Sequence, residues 1–201
     1  VYALRPQQLQ LGFLKVLKGS HMMEMADEYE IVCKNREPYE VLSTKWLSYM
    51  DVLKLKMVEN MVDLYYNSGQ FQNTLRYLEP FFADAFSMYD AIGRYYETRN
   101  YMEVSHSRIR RYEILLEFVK TKPEISVKEV VQKMILDLYL RENLKSRPGF
   151  APSQKEFEKA IWEFRRQNSI PKTAHIEVFE NGSACLFDYE NRDALSGNAY
   201  V

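Results

Sequence analysis

The most concentrated polar stretch of the sequence is residues 105–113, Ser-His-Ser-Arg-Ile-Arg-Arg-Tyr-Glu. Arg108, Arg111 and Tyr112 fall on neighbouring positions of one predicted helix, with His106 just before them. The free backbone N–H groups at the start of a helix favour an anion. These four residues are therefore the candidate contacts to an anionic substrate, a cofactor tail or a neighbouring domain.

The alternative interpretation of this stretch is a solvated basic face whose charges pair internally with acidic residues such as Glu103 or Glu113. A second basic run, residues 141–148, follows the next predicted helix. Cations at the C-terminal end of a helix are expected from the helix dipole alone. The second run therefore indicates no site by itself.

Motifs for common chemistry are absent from the chain. The sequence has no glycine-rich phosphate loop, no HExxH and no GxSxG, and its three histidines are scattered. Cys33 and Cys185 form no CxxC pair, so we expect two small buried thiols in a reducing cytoplasm. The prediction is a chain that is inactive alone, with no catalytic residue, no metal site and no cofactor of its own.

Composition limits the class of protein. The 201 residues carry 27 Lys and Arg against 28 Asp and Glu, and 46% of them are hydrophobic. This length and apolar fraction suffice for one compact domain or slightly more, while the net charge of −1 gives no field for nucleic acid. Neither a long apolar run nor a signal-peptide pattern occurs, so we expect no membrane partner and a cytoplasmic location.

Periodicity predicts a mainly α fold with about six helices, a C-terminal β-hairpin and an N-terminal βα unit. Ser126 and Ser153 are each followed three residues later by glutamate, which predicts a capping box at the start of two helices. The predicted helices span residues 48–66, 70–79, 84–98, 105–120, 126–143 and 153–167.

The two ends of the chain contain the β signals. Asn181-Gly182 between two β-rich runs predicts the hairpin over 174–189, because both turn residues tolerate positive φ. Residues 9–17 are predicted to form a buried strand, followed by a turn and a helix over 22–29. The neighbours of such a strand are missing, so we expect the chain to belong to a larger protein.

The unpaired strand over 9–17 should seek a partner: the 174–189 hairpin, another copy of the chain, or the packed helices. Together these patterns predict three regions. Residues 1–34 form the strand-turn-helix unit, 35–147 the helical domain, and 148–201 a helix with the hairpin packed on it.

Residues 9–20 resemble the last strand and turn of a radical S-adenosylmethionine barrel, with Lys18-Gly19-Ser20 where Pro-Gly-Thr is common. The rest of the chain resembles the uncharacterised helical C-terminal domain of cobalamin-binding radical S-adenosylmethionine proteins. The segments that carry this resemblance are 38–42 (Pro-Tyr-Glu-Val-Leu), 66–69 (Tyr-Asn-Ser-Gly), 106–109 (His-Ser-Arg-Ile), 111–118 (Arg-Tyr-Glu-Ile-Leu-Leu-Glu-Phe), 140–148 (Leu-Arg-Glu-Asn-Leu-Lys-Ser-Arg-Pro), 175–179 (His-Ile-Glu-Val-Phe) and 187–189 (Phe-Asp-Tyr).

The resemblance implies a complete polypeptide with a cobalamin-binding domain and a barrel that holds a 4Fe-4S cluster, through CxxxCxxC, and S-adenosylmethionine. Neither the cobalamin-binding domain nor the barrel is present here, so no catalytic residue of the family has a counterpart in this sequence. The cobalamin-binding domain and the barrel are instead the expected partners. The leading hypothesis is a non-catalytic accessory domain that packs on the barrel and shapes its substrate end. The whole enzyme would be an anaerobic magnesium-protoporphyrin monomethyl ester oxidative cyclase or a methyltransferase. The alternative is a free-standing helical interaction module, favoured by the tyrosine-rich helical hairpins.

Overall fold

The computed structural model describes all residues from Val1 to Val201 and is mainly α-helical, which confirms the predicted fold class. Two small antiparallel sheets accompany seven helices. The helices are α1 His21–Glu24, α2 Tyr49–Met61, α3 Gln72–Leu78, α4 Ala85–Thr98, α5 Arg108–Val119, α6 Val127–Arg141 and α7 Glu158–Gln167. The strands are β1 Val32–Cys33, β2 Val41–Ser43, β3 His175–Val178, β4 Ala184–Arg192 and β5 Ala199–Tyr200.

One apolar core joins helices α2 to α6. Helix α2 packs against α4, α3 against α6, and α5 against α6. Gly93 permits the close approach of α4 to α2, because a Cβ there would lie 2.7 Å from the side chain of Met57. Aromatic rings fill the centre, with Phe71 and Tyr112 only 4.2 Å apart between ring centroids. This packing fixes the ends of α4 and α5, which position the candidate site.

Side-chain caps explain where three of the helices begin. Ser48 and Asp51 form a complete capping box at the start of α2. The carboxylate of Asp84 accepts the N–H of Ser87 at 2.7 Å at the start of α4. Ser107 caps α5, so this helix begins at Arg108 and not at the predicted residue 105. Ser105 and His106 consequently lie in the loop before α5.

The two predicted capping boxes do not form. The hydroxyl of Ser126 accepts the N–H of Glu129 at 3.3 Å and caps α6, but the Glu129 side chain does not bond back. Ser153 caps no α-helix; its hydroxyl accepts the N–H of Lys155, and α7 begins at Glu158 after a 3-10 turn. The prediction was therefore correct for the start of α6 and wrong for the start of α7.

The predicted C-terminal hairpin is confirmed, with a different turn. Strand β3 pairs with β4, and β5 adds a third strand, in the order β3-β4-β5. Of the two turn residues only Gly182 has positive φ, at 80°. Its N–H donates to the carbonyl of Phe179 at 2.9 Å, and the N–H of Phe179 donates to Ser183 at 2.8 Å. The loop is therefore longer than the predicted two-residue turn.

The strand predicted over 9–17 does not form. Only Lys15 makes a bridge, to Glu40, and the regular strand pair of this region is β1 with β2, which residues 34–40 connect. Helix α1 is also shorter than the predicted 22–29. At Leu9 the side chain of Asn67 makes the hydrogen bonds that a neighbouring strand would make. It accepts the N–H of Leu9 at 2.8 Å and donates to the carbonyl of Leu9 at 3.1 Å. Residues 9–17 do not join the C-terminal hairpin.

None of the helices combines the length and the apolar character needed to cross a bilayer. The division into regions 1–34, 35–147 and 148–201 stays a prediction.

Candidate functional site

A cavity of about 280 Å³ opens between the end of α2, the end of α4 and the loop that leads into α5. We call it the Arg111 cavity. Its lining is half apolar and half polar. The lining residues used below are Asn60, Asp63, Leu64, Tyr96, Met102, Ser105, His106 and Arg111.

A π-helical segment, Val62–Asn67, continues α2 and forms one wall of the cavity. Such segments are rare and frequently occur at functional sites. The segment turns Tyr65 inward, where its hydroxyl lies 2.7 Å from the hydroxyl of Tyr96 and donates to the carbonyl of Arg111 at 3.3 Å. Burial raises the pKa of both tyrosines, so they stay neutral hydrogen-bonding groups.

Arg111 is the cation of the cavity and has no acceptor in the chain. Its Nε atom is shielded from solvent without a hydrogen-bond partner, and no carboxylate lies within ion-pair distance of its guanidinium. Arg110 contacts Glu113 at 3.2 Å and Glu117 at 2.7 Å. Arg108 shares the unpartnered Nε but pairs with Glu142 through a terminal nitrogen. Buried polar groups without a partner are uncommon in native proteins, and each one calls for an explanation.

His106 is held at the rim of the cavity by the backbone of its own loop. Its Nε2 atom lies 2.9 Å from the carbonyl of Tyr101, so Nε2 carries the proton and donates it. The ring meets the rings of Tyr96 and Tyr101 edge to face, at 6.0 and 5.4 Å between centroids. Nε2 is therefore engaged by the loop, and Nδ1 makes no hydrogen bond to the rest of the chain.

The structure brings two of the four predicted site residues together at the cavity: His106 and Arg111. Arg108 turns away and pairs with Glu142, which joins the two basic runs of the sequence. Tyr112 is fully buried, and its hydroxyl donates to the carbonyl of Gln70 at 2.6 Å. Tyr112 is therefore part of the core and is not accessible to a ligand in the cavity.

The family model described as "Protein of unknown function (DUF4080)" matches residues 27–186. The chain belongs to the DUF4080 family. The matched range includes every residue that lines the Arg111 cavity. Comparison with curated protein sequences and with solved structures gives no match.

The DUF4080 region also contains a buried charged cluster that sequence reasoning missed. Glu177 is 1% exposed and accepts two hydrogen bonds from Arg147, at 2.8 and 2.6 Å. His175 contacts the same carboxylate at 3.0 Å and stacks on Tyr139 at 3.7 Å between centroids. Burial alone would raise the pKa of Glu177, but the bonds from Arg147 and His175 lower it overall. The glutamate is therefore held as a buried carboxylate.

A partial signal for this cluster was present in the sequence, since Arg147 lies in segment 140–148 and Glu177 in segment 175–179. Nothing in either segment indicates that the two residues meet, because they are 30 positions apart. The edge of β3 is closed nearby, where the side-chain amide of Gln154 bonds both the N–H and the carbonyl of Val178. The cluster therefore connects the loop after α6 and the hairpin to Tyr139 of the core.

The two cysteines of the DUF4080 chain are free, and both are half-buried where the sequence predicted small buried thiols. Burial raises the pKa of Cys185. No group of three His, Cys, Asp or Glu side chains is placed to hold a metal ion. The residues of this chain therefore do not fit an iron-sulfur cluster, and no step is assigned to one here.

Proposed function

We propose that this DUF4080 chain is a non-catalytic accessory domain that packs on the barrel of a cobalamin-dependent radical S-adenosylmethionine enzyme and shapes its substrate end. The resemblance of residues 9–20 to the last strand and turn of such a barrel supports the proposal. So does the position of the other resembling segments, from 38–42 to 175–179, within the family match. The reaction of the whole enzyme, oxidative cyclisation or methyl transfer, belongs to the same proposal.

The observation that carries the proposal is an exposed apolar surface at the start of α2, which we call the docking face. It consists of Trp46, Tyr49, Met50, Leu53 and Phe86. Trp46 is 66% exposed and Met50 70% exposed, whereas surface residues of this size are usually scattered singly. Several exposed apolar side chains at the start of one helix indicate a contact with another protein surface.

The geometry of α2 gathers the members of the docking face. Tyr49 and Leu53 are four residues apart and lie on the same side of the helix. The Nζ atom of Lys54 lies 5.0 Å from the ring centroid of Phe86, which places that ring beside α2. Half of the other large apolar side chains that stay exposed, 7 of 14, lie earlier in the chain, among residues 1–47. They adjoin the segment that resembles the barrel strand.

The docking face and the Arg111 cavity lie on the same helix. Tyr49 begins α2, and Asn60 near its end lines the cavity. At the rise of an α-helix, these positions are about 16 Å apart along the axis. A barrel seated on the docking face would therefore have the cavity close to the edge of the contact, which supports a role at the substrate end.

The test uses the complete polypeptide that contains this chain. Trp46→Ser combined with Met50→Ser should release the domain from the barrel, because the change removes the apolar contact. We expect faster limited proteolysis between barrel and domain, together with slower S-adenosylmethionine-dependent turnover. Trp162→Ser is the matched control, since Trp162 is 59% exposed on α7, away from the docking face.

Equal proteolysis and equal turnover of the double variant and the wild type would contradict the docking role. The coding sequence before Val1 gives an independent check. A barrel with a CxxxCxxC motif supports the proposal, whereas a start codon immediately before Val1 favours the free-standing interaction module.

A further inference from the structure

We propose that the Arg111 cavity binds a small organic monocarboxylate with an apolar body. The proposal is independent of the docking face and of the enzyme to which the domain belongs. It rests on the unpaired guanidinium of Arg111 and on the chemistry of the surrounding wall.

The first step is the missing acceptor. The three arginines at the start of α5 differ: Arg108 pairs with Glu142, Arg110 with two glutamates, and Arg111 with none. The Nε atom of Arg111 is out of contact with solvent and has no partner, and Arg111 is one of the residues that line the cavity. A buried donor without a partner costs about 1–3 kcal/mol, more when it is charged. A ligand anion would restore the missing bonds.

The second step is the shape of the anion. The planar fork of a guanidinium matches a carboxylate through two parallel hydrogen bonds. Ser105 and His106 also line the cavity and are the residues that would supply further polar contacts to a bound molecule. The carboxylate of Asp63 also lines the cavity, and the amide of Asn67 donates to it at 2.5 Å. The cavity thus holds one cation, Arg111, and one anion, Asp63. Because Asp63 repels negative charge, a ligand with a single negative charge is favoured over a doubly charged phosphate.

The third step is the body of the ligand. Leu64, Met102 and Tyr96 supply apolar surface to the lining of the cavity. A volume of about 280 Å³ lies at the small end of ligand sites in proteins. Apolar lining with a few placed polar groups is the usual composition of such sites. A carboxylate attached to a hydrocarbon or aromatic ring matches both kinds of lining residue, the carboxylate the polar ones and the ring the apolar ones.

The test is a titration of the purified chain followed by the NMR signals of the arginine Nε–H groups and the methionine methyl groups. The probes are benzoate, acetate, benzyl alcohol and inorganic phosphate. We expect benzoate to bind more tightly than the other three probes, because only benzoate supplies both a carboxylate and an apolar ring. The shifts should concentrate on Arg111 and Met102.

Two variants make the test specific. Arg111→Gln should weaken benzoate binding about tenfold, the loss of one charge-assisted contact. Arg99→Gln removes an equal charge at the exposed end of the same loop and should leave the affinity unchanged. If Arg111→Gln does not fold, Arg111→Lys keeps the charge and loses only the fork, and it should still weaken benzoate binding several-fold.

The proposal fails if benzyl alcohol binds as tightly as benzoate, if phosphate binds more tightly, or if no probe shifts the Arg111 signal at about 10 mM. It also fails if the variants at position 111 bind benzoate like the wild type. A purely structural Arg111 predicts a lower melting temperature for Arg111→Gln without ligand. A binding residue predicts an equal or higher one.

Discussion

Asp137 on α6 closes the start of α3 by accepting two hydrogen bonds from Thr74, at 2.8 Å from its backbone N–H and at 2.7 Å from its hydroxyl. Asn73 donates two more to the same carboxylate, both at 2.9 Å. Helix α3 has no capping side chain of its own. An acid on a distant helix therefore provides the cap that the local sequence lacks.

Asp137→Ala should lower the free energy of unfolding by about 3 kcal/mol, because four donors, the two of Thr74 buried and the two of Asn73 partly buried, lose their acceptor. Urea unfolding of the isolated chain measures the change. The control is Glu129→Ala on the exposed side of the same helix, which should cost no more than about 0.5 kcal/mol. Equal stabilities of the two variants would show that the distant cap is unimportant.

Arg147→Met should destabilise the chain by about 3 kcal/mol, because the carboxylate of Glu177 is then left buried without its main partner. Adding Glu177→Met to this variant should recover much of the loss, since the uncompensated charge disappears. Lys128→Met is the matched control: Lys128 pairs with Glu180 at 2.5 Å on the surface and should contribute little. A double variant as unstable as the single one would contradict the charge argument.

Glu40 should make the chain sensitive to acid. Lys34 at 2.8 Å and Lys56 at 2.7 Å lower the pKa of Glu40 to about 2 from its ordinary value of 4.5. A carboxyl whose pKa is lower in the folded state contributes stability above its unfolded pKa, and this contribution disappears as the pH falls from about 4.5 to about 2. Because the lysines are partly solvated, we expect a contribution of about 1 kcal/mol.

Unfolding of Glu40→Gln at pH 3 and pH 7 checks this expectation. The variant should be less stable than the wild type at pH 7 and should lose less stability between the two pH values. Parallel pH profiles for the two proteins would assign the acid sensitivity to other carboxylates.

Tyr2→Ala should detach the first residues of the chain. The hydroxyl of Tyr2 donates to Glu79 at 2.7 Å, and its ring packs against Tyr66 and Tyr89 at 5.3 and 6.0 Å between centroids. We expect a loss of about 2 kcal/mol, against about 0.5 kcal/mol for the half-exposed Tyr200→Ala. Thermal unfolding measures both, and a melting temperature unchanged in Tyr2→Ala would show that residues 1–8 are an independent tail.

Sequence reasoning worked where the signal was local. Ser48 and Asp84 mark the starts of α2 and α4 because a capping side chain lies within three residues of the N–H groups that it binds. The pair of His106 and Arg111 was found for the same reason, since both residues lie in one short polar stretch.

Contacts between distant residues could not be predicted. Thr74 and Asp137 are 63 positions apart, and Arg147 and Glu177 are 30 apart. The strand predicted over residues 9–17 was wrong because a short apolar run resembles a buried strand whether or not other strands flank it. In this chain the side chain of Asn67 hydrogen-bonds the backbone of Leu9. The periodicity of apolar residues in the sequence gives no sign of this contact.

The π-helical segment Val62–Asn67 also determines in which direction around the helix axis its side chains point. Its hydrogen bonds enclose one residue more than those of an α-helix, so removing a single residue from it would leave a regular and continuous α2. Each residue of an α-helix advances the side-chain direction by about 100°. A one-residue deletion would thus turn Tyr65 relative to Tyr96, dismantling the wall of the Arg111 cavity while the helix itself stays intact.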